Sequence, residues 1–138
     1  MLVTRKDEGG ICTLSLNRPD ALNALSLGVF EELEAHAKML VQQTDEVGCV
    51  ILRGEGRSFS SGNDIKSLQA GDKDPHLHYR TDVINLLEGL PQPVIASVRG
   101  HCYTGALELA LIADLLVASD TAKFCDTHAG WGMVPMWG

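Results

Sequence analysis

Three short apolar runs, separated by segments with helical periodicity, constrain the fold of this chain most strongly. The runs cover residues 47–52, 94–98 and 115–118. Continuous apolar strands are typical of parallel sheets that are covered on both faces. A further strand is predicted at 12–16, where apolar and polar residues alternate. Strands that alternate with helices along the chain favour an α/β architecture with parallel pairing.

The predicted helices lie between these strands. The first covers residues 26–43 and begins at Ser26, which can cap it. The same pattern predicts a short helix over 64–69 and longer ones over 76–90 and 104–113. Between the last two, residues 99–101 are predicted to turn the chain.

Composition narrows the class of protein. The 138 residues are 45% hydrophobic and 21% charged, which predicts one domain with a substantial core. A net charge of −7 argues against non-specific binding to nucleic acid. No apolar run is long enough to span a membrane, and the polar start lacks a signal-peptide core, so a cytoplasmic location is expected. The cysteines form no CxxC pair, which excludes a zinc ribbon, and each is predicted to be a reduced core thiol; they are Cys12, Cys49, Cys102 and Cys125.

Helix 104–113 is the most informative element, because it carries a single glutamate among apolar residues. Leu107, Leu109 and Leu111 contribute to an apolar surface on every side, which predicts a buried helix. An ionised carboxylate there is unfavourable unless it has a partner or takes up a proton. Glu108 is therefore either held by an arginine or by backbone N–H groups, or it is a catalytic acid or base that faces a cleft.

Two glycine-containing segments accompany Glu108. Gly105 lies three residues earlier on the same helix face, near the N-terminus, where a free amide can hold a developing oxyanion. Taken without the other motifs, this glycine is better explained by tight packing of the helix against a strand. The loop 60–64 lies between a predicted strand and a helix, where α/β proteins place ligands, and it can supply a second such amide. Helix capping alone also explains Asp64.

Five stretches together resemble the enoyl-CoA hydratase/isomerase family, also called the crotonase superfamily. They are 17–25, 50–59, 61–65, 93–100 and 105–124. Their order and spacing are those of the family, and they cover nearly this whole chain but only about the first half of a typical member. The resemblance implies an α/β fold, a crotonase-like spiral of ββα units (the ClpP/crotonase fold). It implies one domain over residues 1–138, truncated at the C-terminus relative to the family.

The resemblance also implies an acyl-CoA thioester as substrate. Backbone N–H groups of Asn63 and Gly105 would form the oxyanion hole that polarises the thioester carbonyl, and Glu108 would be the catalytic acid or base. No metal and no separate cofactor are implied, because coenzyme A arrives as part of the substrate. Family members usually assemble into trimers or hexamers. The residues expected to bind substrate and coenzyme A are Ala21, Leu22, Ala24, Ser61, Gly62, Asn63, Asp64, Ile65 and Lys66.

The second catalytic position departs from the family pattern. Hydratases carry a second glutamate in a later loop, and the corresponding residue here is His128. Imidazole titrates near neutral pH and can serve as an acid or a base, so His128 is the second catalytic candidate. The alternative is a structural histidine bonded to Asp126. The stretch 130–138 remains apolar and glycine-rich, so the chain is expected to stop within a folded structure.

These observations predict a hydratase that adds water across the double bond of a 2-enoyl-CoA. A double-bond isomerase is the alternative on the same fold, since one base can move a proton between Cα and Cγ. A different class of function is a non-catalytic module that binds acyl-CoA or only assembles. A preference for 3-enoyl-CoA would favour the isomerase, and binding without turnover would favour the module.

Overall fold

The computed structural model describes residues 1–137, which form a five-stranded sheet, a two-stranded sheet and four α-helices. Gly138, the end of the predicted glycine-rich stretch, lies outside the described residues. Short 3₁₀ turns cover Pro19–Ala21 and His128–Trp131. In chain order the elements are β1 (Val3–Glu8), β2 (Ile11–Leu16), α1 (Leu27–Leu40), β3 (Cys49–Gly54), α2 (Ile65–Gln69), α3 (Tyr79–Glu88), β4 (Val94–Val98), β5 (His101–Tyr103), α4 (Gly105–Leu111), β6 (Leu115–Ala118) and β7 (Lys123–Cys125).

The larger sheet has the strand order β1-β2-β3-β4-β6. Strands β1 and β2 form an antiparallel hairpin, and β2, β3, β4 and β6 pair in parallel. Parallel neighbours need crossover connections, and α1, α3 and α4 lie in those connections. The predicted α/β architecture with parallel pairing is confirmed.

A second, smaller sheet runs beside the first. Strands β5 and β7 pair in parallel, and Ser60 forms an isolated bridge to Cys102 in β5. Each turn of the chain therefore adds a long strand to the larger sheet, a short extended segment to the smaller one, and then a helix. This path is the predicted spiral of ββα units.

The apolar face predicted for the first helix forms much of the core. Phe30, Leu33, Ala37 and Leu40 of α1 are all fully buried, and α1 packs against α3. Ser26 occupies the N-cap position, as predicted, but its side chain makes no capping hydrogen bond. Helix α1 ends at Leu40 and α3 covers only Tyr79–Glu88, so both are shorter than predicted.

Strand β1 was not predicted, because its residues are mostly polar. It pairs with β2 through a two-residue turn in which Gly9 and Gly10 both have positive φ, +59° and +79°. Two-residue hairpin turns favour glycine for this reason. The carboxylate of Glu32 accepts hydrogen bonds from the amides of Leu2 and Val3, which attaches the start of the chain to α1.

Several burial predictions are wrong, most of them at the end of the spiral. Leu111 of the supposedly buried helix is 66% exposed, and every residue of β6 is exposed. Cys125 is exposed and Cys49 is only half-buried, whereas Cys12 and Cys102 are core thiols as predicted. No described residue covers this side of α4 and β6, and a local apolar pattern does not reveal which segments pack against it. The predicted turn at 99–101 is also one residue too long, because His101 begins β5.

Candidate active site

The loop after β3 brings one amide of the predicted oxyanion hole to the start of α4. Leu25 pairs with this loop, donating its amide to the Gly62 carbonyl at 2.8 Å and accepting from the Asp64 amide at 3.0 Å. This pairing turns the Asn63 N–H to the other side, where it donates to no group within residues 1–137. Gly62 has φ +96°, and a Cβ built on it would lie 2.6 Å from the Tyr103 carbonyl oxygen.

The second amide lies at the first residue of α4. Thr104 precedes the helix with φ +55°, an unusual conformation for a non-glycine residue. Its amide donates to the Cys125 carbonyl at 2.8 Å, which holds the helix start against β7. The amide of Gly105 has no acceptor among the described residues. The ideal Cβ position on Gly62 is 3.6 Å from the Gly105 nitrogen, so the two predicted donors lie side by side.

The Glu108 carboxylate is held by backbone amides and faces a cleft. Its side chain is 8% exposed. Oε1 accepts hydrogen bonds from the amides of Met136 at 2.9 Å and Trp137 at 2.7 Å. The interpretation that backbone N–H groups hold Glu108 is confirmed for one oxygen, and Oε2 is directed toward His128.

His128 lies between two carboxylates. Its side chain is 10% exposed, with Nδ1 2.6 Å from Asp126 Oδ1 and Nε2 3.3 Å from Glu108 Oε2. Hydrogen bonds from the backbone amide and then the ring of His128 lower the pKa of Asp126, so this group is an anion at neutral pH. The ring therefore donates from Nδ1 to Asp126. The other ring nitrogen, Nε2, faces Glu108 Oε2.

The predicted catalytic and oxyanion residues line one small cleft. Asn63, Gly105, Glu108 and His128 surround it together with Met136 and Trp137, and its volume is about 50 Å³. Two free amides, a carboxylate and an imidazole thus converge on a space that holds only a few groups the size of water. This arrangement can polarise a carbonyl and move a proton next to it.

A wider cleft of about 530 Å³ adjoins this one at Asn63, which lines both. All but two of the residues predicted to bind coenzyme A line it. The two exceptions support its walls: Leu22 accepts a hydrogen bond from the Ser61 amide, and Gly62 pairs with Leu25. The predicted residues in this cleft are Ala21, Ala24, Ser61, Asn63, Asp64, Ile65 and Lys66.

Asp64 joins the two sides of the wider cleft. It caps α2 by accepting from the Ser67 amide at 3.1 Å, and it pairs with Arg18 at 2.7 Å. Burial opposes the charged carboxyl, but the hydrogen bonds from Arg18 and Ser67 outweigh it and lower the pKa of Asp64. Asp64 is therefore both a helix cap and part of the wall of the predicted binding cleft.

We expect Asp64→Asn to reduce the free energy of unfolding by about 1 kcal/mol at pH 7, since asparagine retains the cap but loses the half-buried ion pair. A lowered folded-state pKa stabilises the protein above the unfolded pKa, and this contribution disappears as the pH falls through the folded pKa. Denaturant unfolding should show a constant difference above pH 5 that shrinks below about pH 4. Asp20→Asn, at an exposed position, is the matched control. An unchanged difference at low pH would contradict the ion-pair explanation.

Sequence reasoning missed two residues of the site. Arg80, with a 5% exposed side chain, donates from Nη1 to the Asn63 side-chain oxygen and pairs with Asp74. The available signal was a cation on the apolar face of its helix, one turn before Val83 and Ile84. Trp137 lines the small cleft, and no local pattern predicted that the end of the chain would return to Glu108.

Membrane spans, metal sites and disulfides are the other features on which the sequence bears. Within residues 1–137, no helix is long and apolar enough to cross a membrane. Across the same residues, no three His, Cys, Asp or Glu side chains gather in a way that could hold a metal ion. The four cysteines are free thiols.

Comparison with known proteins points to one family. A family model described as Enoyl-CoA hydratase/isomerase matches residues 6–138. The "Probable enoyl-CoA hydratase 1, peroxisomal" of Arabidopsis thaliana is 40% identical over 100% of this chain and 52% of its own length. This chain spans about half the length of the curated relatives that it matches.

Solved structures share the fold. An enoyl-CoA hydratase/isomerase from Xanthobacter autotrophicus Py2 is 33% identical with a TM-score of 0.88, covering 96% of this chain and 51% of that one. An enoyl-CoA hydratase from Bacillus anthracis is 28% identical with a TM-score of 0.91, covering 100% of this chain and 55% of that one. The predicted crotonase fold is therefore confirmed. The ββα spiral and the match over residues 6–138 together show that this chain belongs to the enoyl-CoA hydratase/isomerase family.

Proposed function

We propose that this protein is an enoyl-CoA hydratase that adds water across the double bond of a 2-enoyl-CoA. One observation carries the proposal: the free amides of Asn63 and Gly105 line the same small cleft as Glu108 and His128. Coenzyme A would lie in the adjoining cleft, whose wall includes Lys66, and the thioester would pass Asn63 into the small cleft.

The oxyanion hole supplies the electrostatic part of this mechanism. The two amides donate to the thioester oxygen, which makes Cβ electrophilic and stabilises the enolate that forms when hydroxide adds. Removing one such donor in other enzymes costs about 10²–10³ in kcat. The proposal needs no separate cofactor or metal, because each step is a proton transfer or the addition of hydroxide.

Glu108 and His128 supply the proton chemistry. They act as a pair, since Glu108 Oε2 and His128 Nε2 lie 3.3 Å apart. The pair accepts a proton from water while the oxygen of water bonds to Cβ, and it delivers a proton to Cα. The pair therefore ends with the proton count with which it began, and water is divided between Cβ and Cα. Asp126 orients the imidazole and stabilises its charged form.

Turnover of crotonyl-CoA tests this proposal, because hydration removes the ultraviolet absorbance of the conjugated thioester. The isomerase alternative predicts faster turnover of a 3-enoyl-CoA, whose product gains that absorbance. A non-catalytic module would bind butyryl-CoA without consuming either enoyl substrate. The imidazole beside Glu108 favours the hydratase, because hydration uses a second acid–base group and isomerisation needs only one.

His128→Gln is expected to lower kcat by about 10²–10⁴-fold, the usual contribution of a general acid or base. Asp126→Asn should cause a smaller loss, because it removes the orienting carboxylate and leaves the ring. Initial rates with crotonyl-CoA and thermal unfolding measure both effects. The structural alternative predicts a lower Tm with an unchanged kcat, and that outcome would exclude His128 from the mechanism.

We also propose that the native protein is a homo-oligomer, a trimer or a hexamer. Apolar side chains of α4, β6 and β7 are exposed, and an exposed apolar surface favours covering by other protein. Sedimentation velocity measures the assembly, and a monomer at micromolar concentration would contradict it. The exposed residues are Leu111, Leu115, Val117 and Phe124.

A cytoplasmic location completes the proposal. It is supported by the free thiols, which are typical of reducing compartments. The names of three relatives include the word peroxisomal or mitochondrial, so organelles are the competing locations. Fractionation of cells with an antibody to the native protein distinguishes these locations.

A further inference from the structure

Trp137 fills the space next to the predicted oxyanion hole. It is only 7% exposed, and its ring meets Phe30 edge-to-face with centroids 5.0 Å apart. On the other side the indole touches Gly105, because a Cβ built there would lie 2.4 Å from Cζ3. The side chain is thus wedged between α1 and the first residue of α4.

The same side chain separates two clefts of very different size. The small catalytic cleft holds about 50 Å³. Behind Trp137 lies a large side cleft of about 720 Å³, whose walls include Leu68, Arg80 and Thr81. Met136 and Trp137 line both spaces. The indole is therefore a wall between them.

This wall is anchored on both sides by its backbone. The Trp137 amide donates to Glu108 Oε1 at 2.7 Å, and the Met136 carbonyl accepts from the Thr81 hydroxyl at 3.2 Å. These bonds attach residues 136–137 to α4 and to α3. Because the backbone is fixed in this way, only the indole side chain could move, and its packing against Phe30 and Gly105 holds it in place.

We propose that Trp137 determines acyl-chain length and restricts this site to short enoyl groups such as crotonyl. The inference rests on the proposed function, since it assumes that the acyl group enters the small cleft. That cleft has room for only a few groups the size of water or a methylene, and the reacting carbons are among them. A longer chain has to enter the large side cleft, and the indole closes that route.

Relative turnover of crotonyl-CoA and trans-2-decenoyl-CoA tests the proposal. For the wild-type protein we expect kcat/KM to fall by at least about tenfold from the short to the long substrate. Trp137→Ala should reduce this ratio by about tenfold or more, because it joins the two clefts. Trp131→Ala, at a 62% exposed position, is the matched control and should leave the ratio unchanged. Equal rates for both substrates in the wild type, or an unchanged ratio in Trp137→Ala, would overturn the proposal.

Binding of saturated acyl-CoA separates this proposal from the proposed function. Butyryl-CoA and decanoyl-CoA cannot be hydrated, and calorimetry measures their Kd in wild type, Trp137→Ala and Trp137→Leu. Trp137→Leu keeps an apolar side chain at this position, so it can replace Trp137→Ala where alanine destabilises the fold. Tighter decanoyl-CoA binding in either variant, without turnover of any enoyl-CoA, would support the wall and reject the hydratase. If neither variant changes the ratio of the Kd values for decanoyl-CoA and butyryl-CoA, the wall is rejected, whatever the rate of enoyl-CoA turnover.

Discussion

Glu108→Gln should lower kcat for crotonyl-CoA hydration by about 10³-fold or more, which lies within the range for acid–base catalysis and is equivalent to about 4 kcal/mol or more. Glutamine has the same shape, and its oxygen can still accept from the amides of Met136 and Trp137. It cannot exchange a proton with water or with His128. We therefore expect KM and Tm to change little, because only the proton-transfer step is lost.

Loss of absorbance of crotonyl-CoA measures the rate, and thermal unfolding measures the fold. Glu88→Gln is the matched control, since Glu88 is an exposed glutamate at the end of α3, and its rate should equal that of the wild type. A Glu108→Gln protein that hydrates crotonyl-CoA within tenfold of the wild-type rate would remove Glu108 from the mechanism. The amide contacts would then be its whole role.

Gly62→Ala is expected to impair both the fold and the site. Its φ of +96° is unfavourable for alanine and costs about 1–3 kcal/mol. The added Cβ would also lie 2.6 Å from the Tyr103 carbonyl oxygen, so the loop or β5 has to move. We expect the free energy of unfolding to fall by about 3–5 kcal/mol in total. The folded protein should lose about 10² in kcat, because Asn63 and Gly105 no longer align.

Gly71→Ala separates the strain of the backbone from the contact in the site. Gly71 has almost the same φ, +94°, but a Cβ there meets no atom within 4 Å. This variant should lose only the strain energy and keep its kcat. Denaturant unfolding and initial rates are measured at a temperature at which each protein is folded. Equal losses of stability and activity in both variants would show that the contact with Tyr103 has no effect on the oxyanion hole.

The alternation of strands and helices was predictable because it depends on residues that are neighbours in the sequence. Apolar runs such as Val94–Val98 and Leu115–Ala118 form strands with the predicted bounds. The placement of Gly105 and Glu108 on one short helix was predictable for the same reason, since helical geometry brings residues three apart to one face. Gly105 and Glu108 therefore indicated the position of the candidate site from the sequence alone.

The partners of these residues were not predictable from local patterns. Glu108 contacts His128, 20 positions away, and Trp137, 29 positions away. The resemblance to the family suggested the first contact, but nothing in the sequence indicated the second. The prediction that Leu111 is buried failed for the same reason, because the exposure of a side chain depends on which segments pack against it.

By itself, the sequence determined the α/β class, the family, and the residue types that the chemistry needs. Periodicity, glycine spacing and one carboxylate in an apolar helix are local properties, and they specify these features directly. Only the tertiary structure decided which oxygen of Glu108 the backbone amides hold, which atom of His128 faces the other oxygen, and that Trp137 lines the cleft. Each of these depends on contacts between segments that are distant in the chain, and the spiral brings those segments together only when it folds.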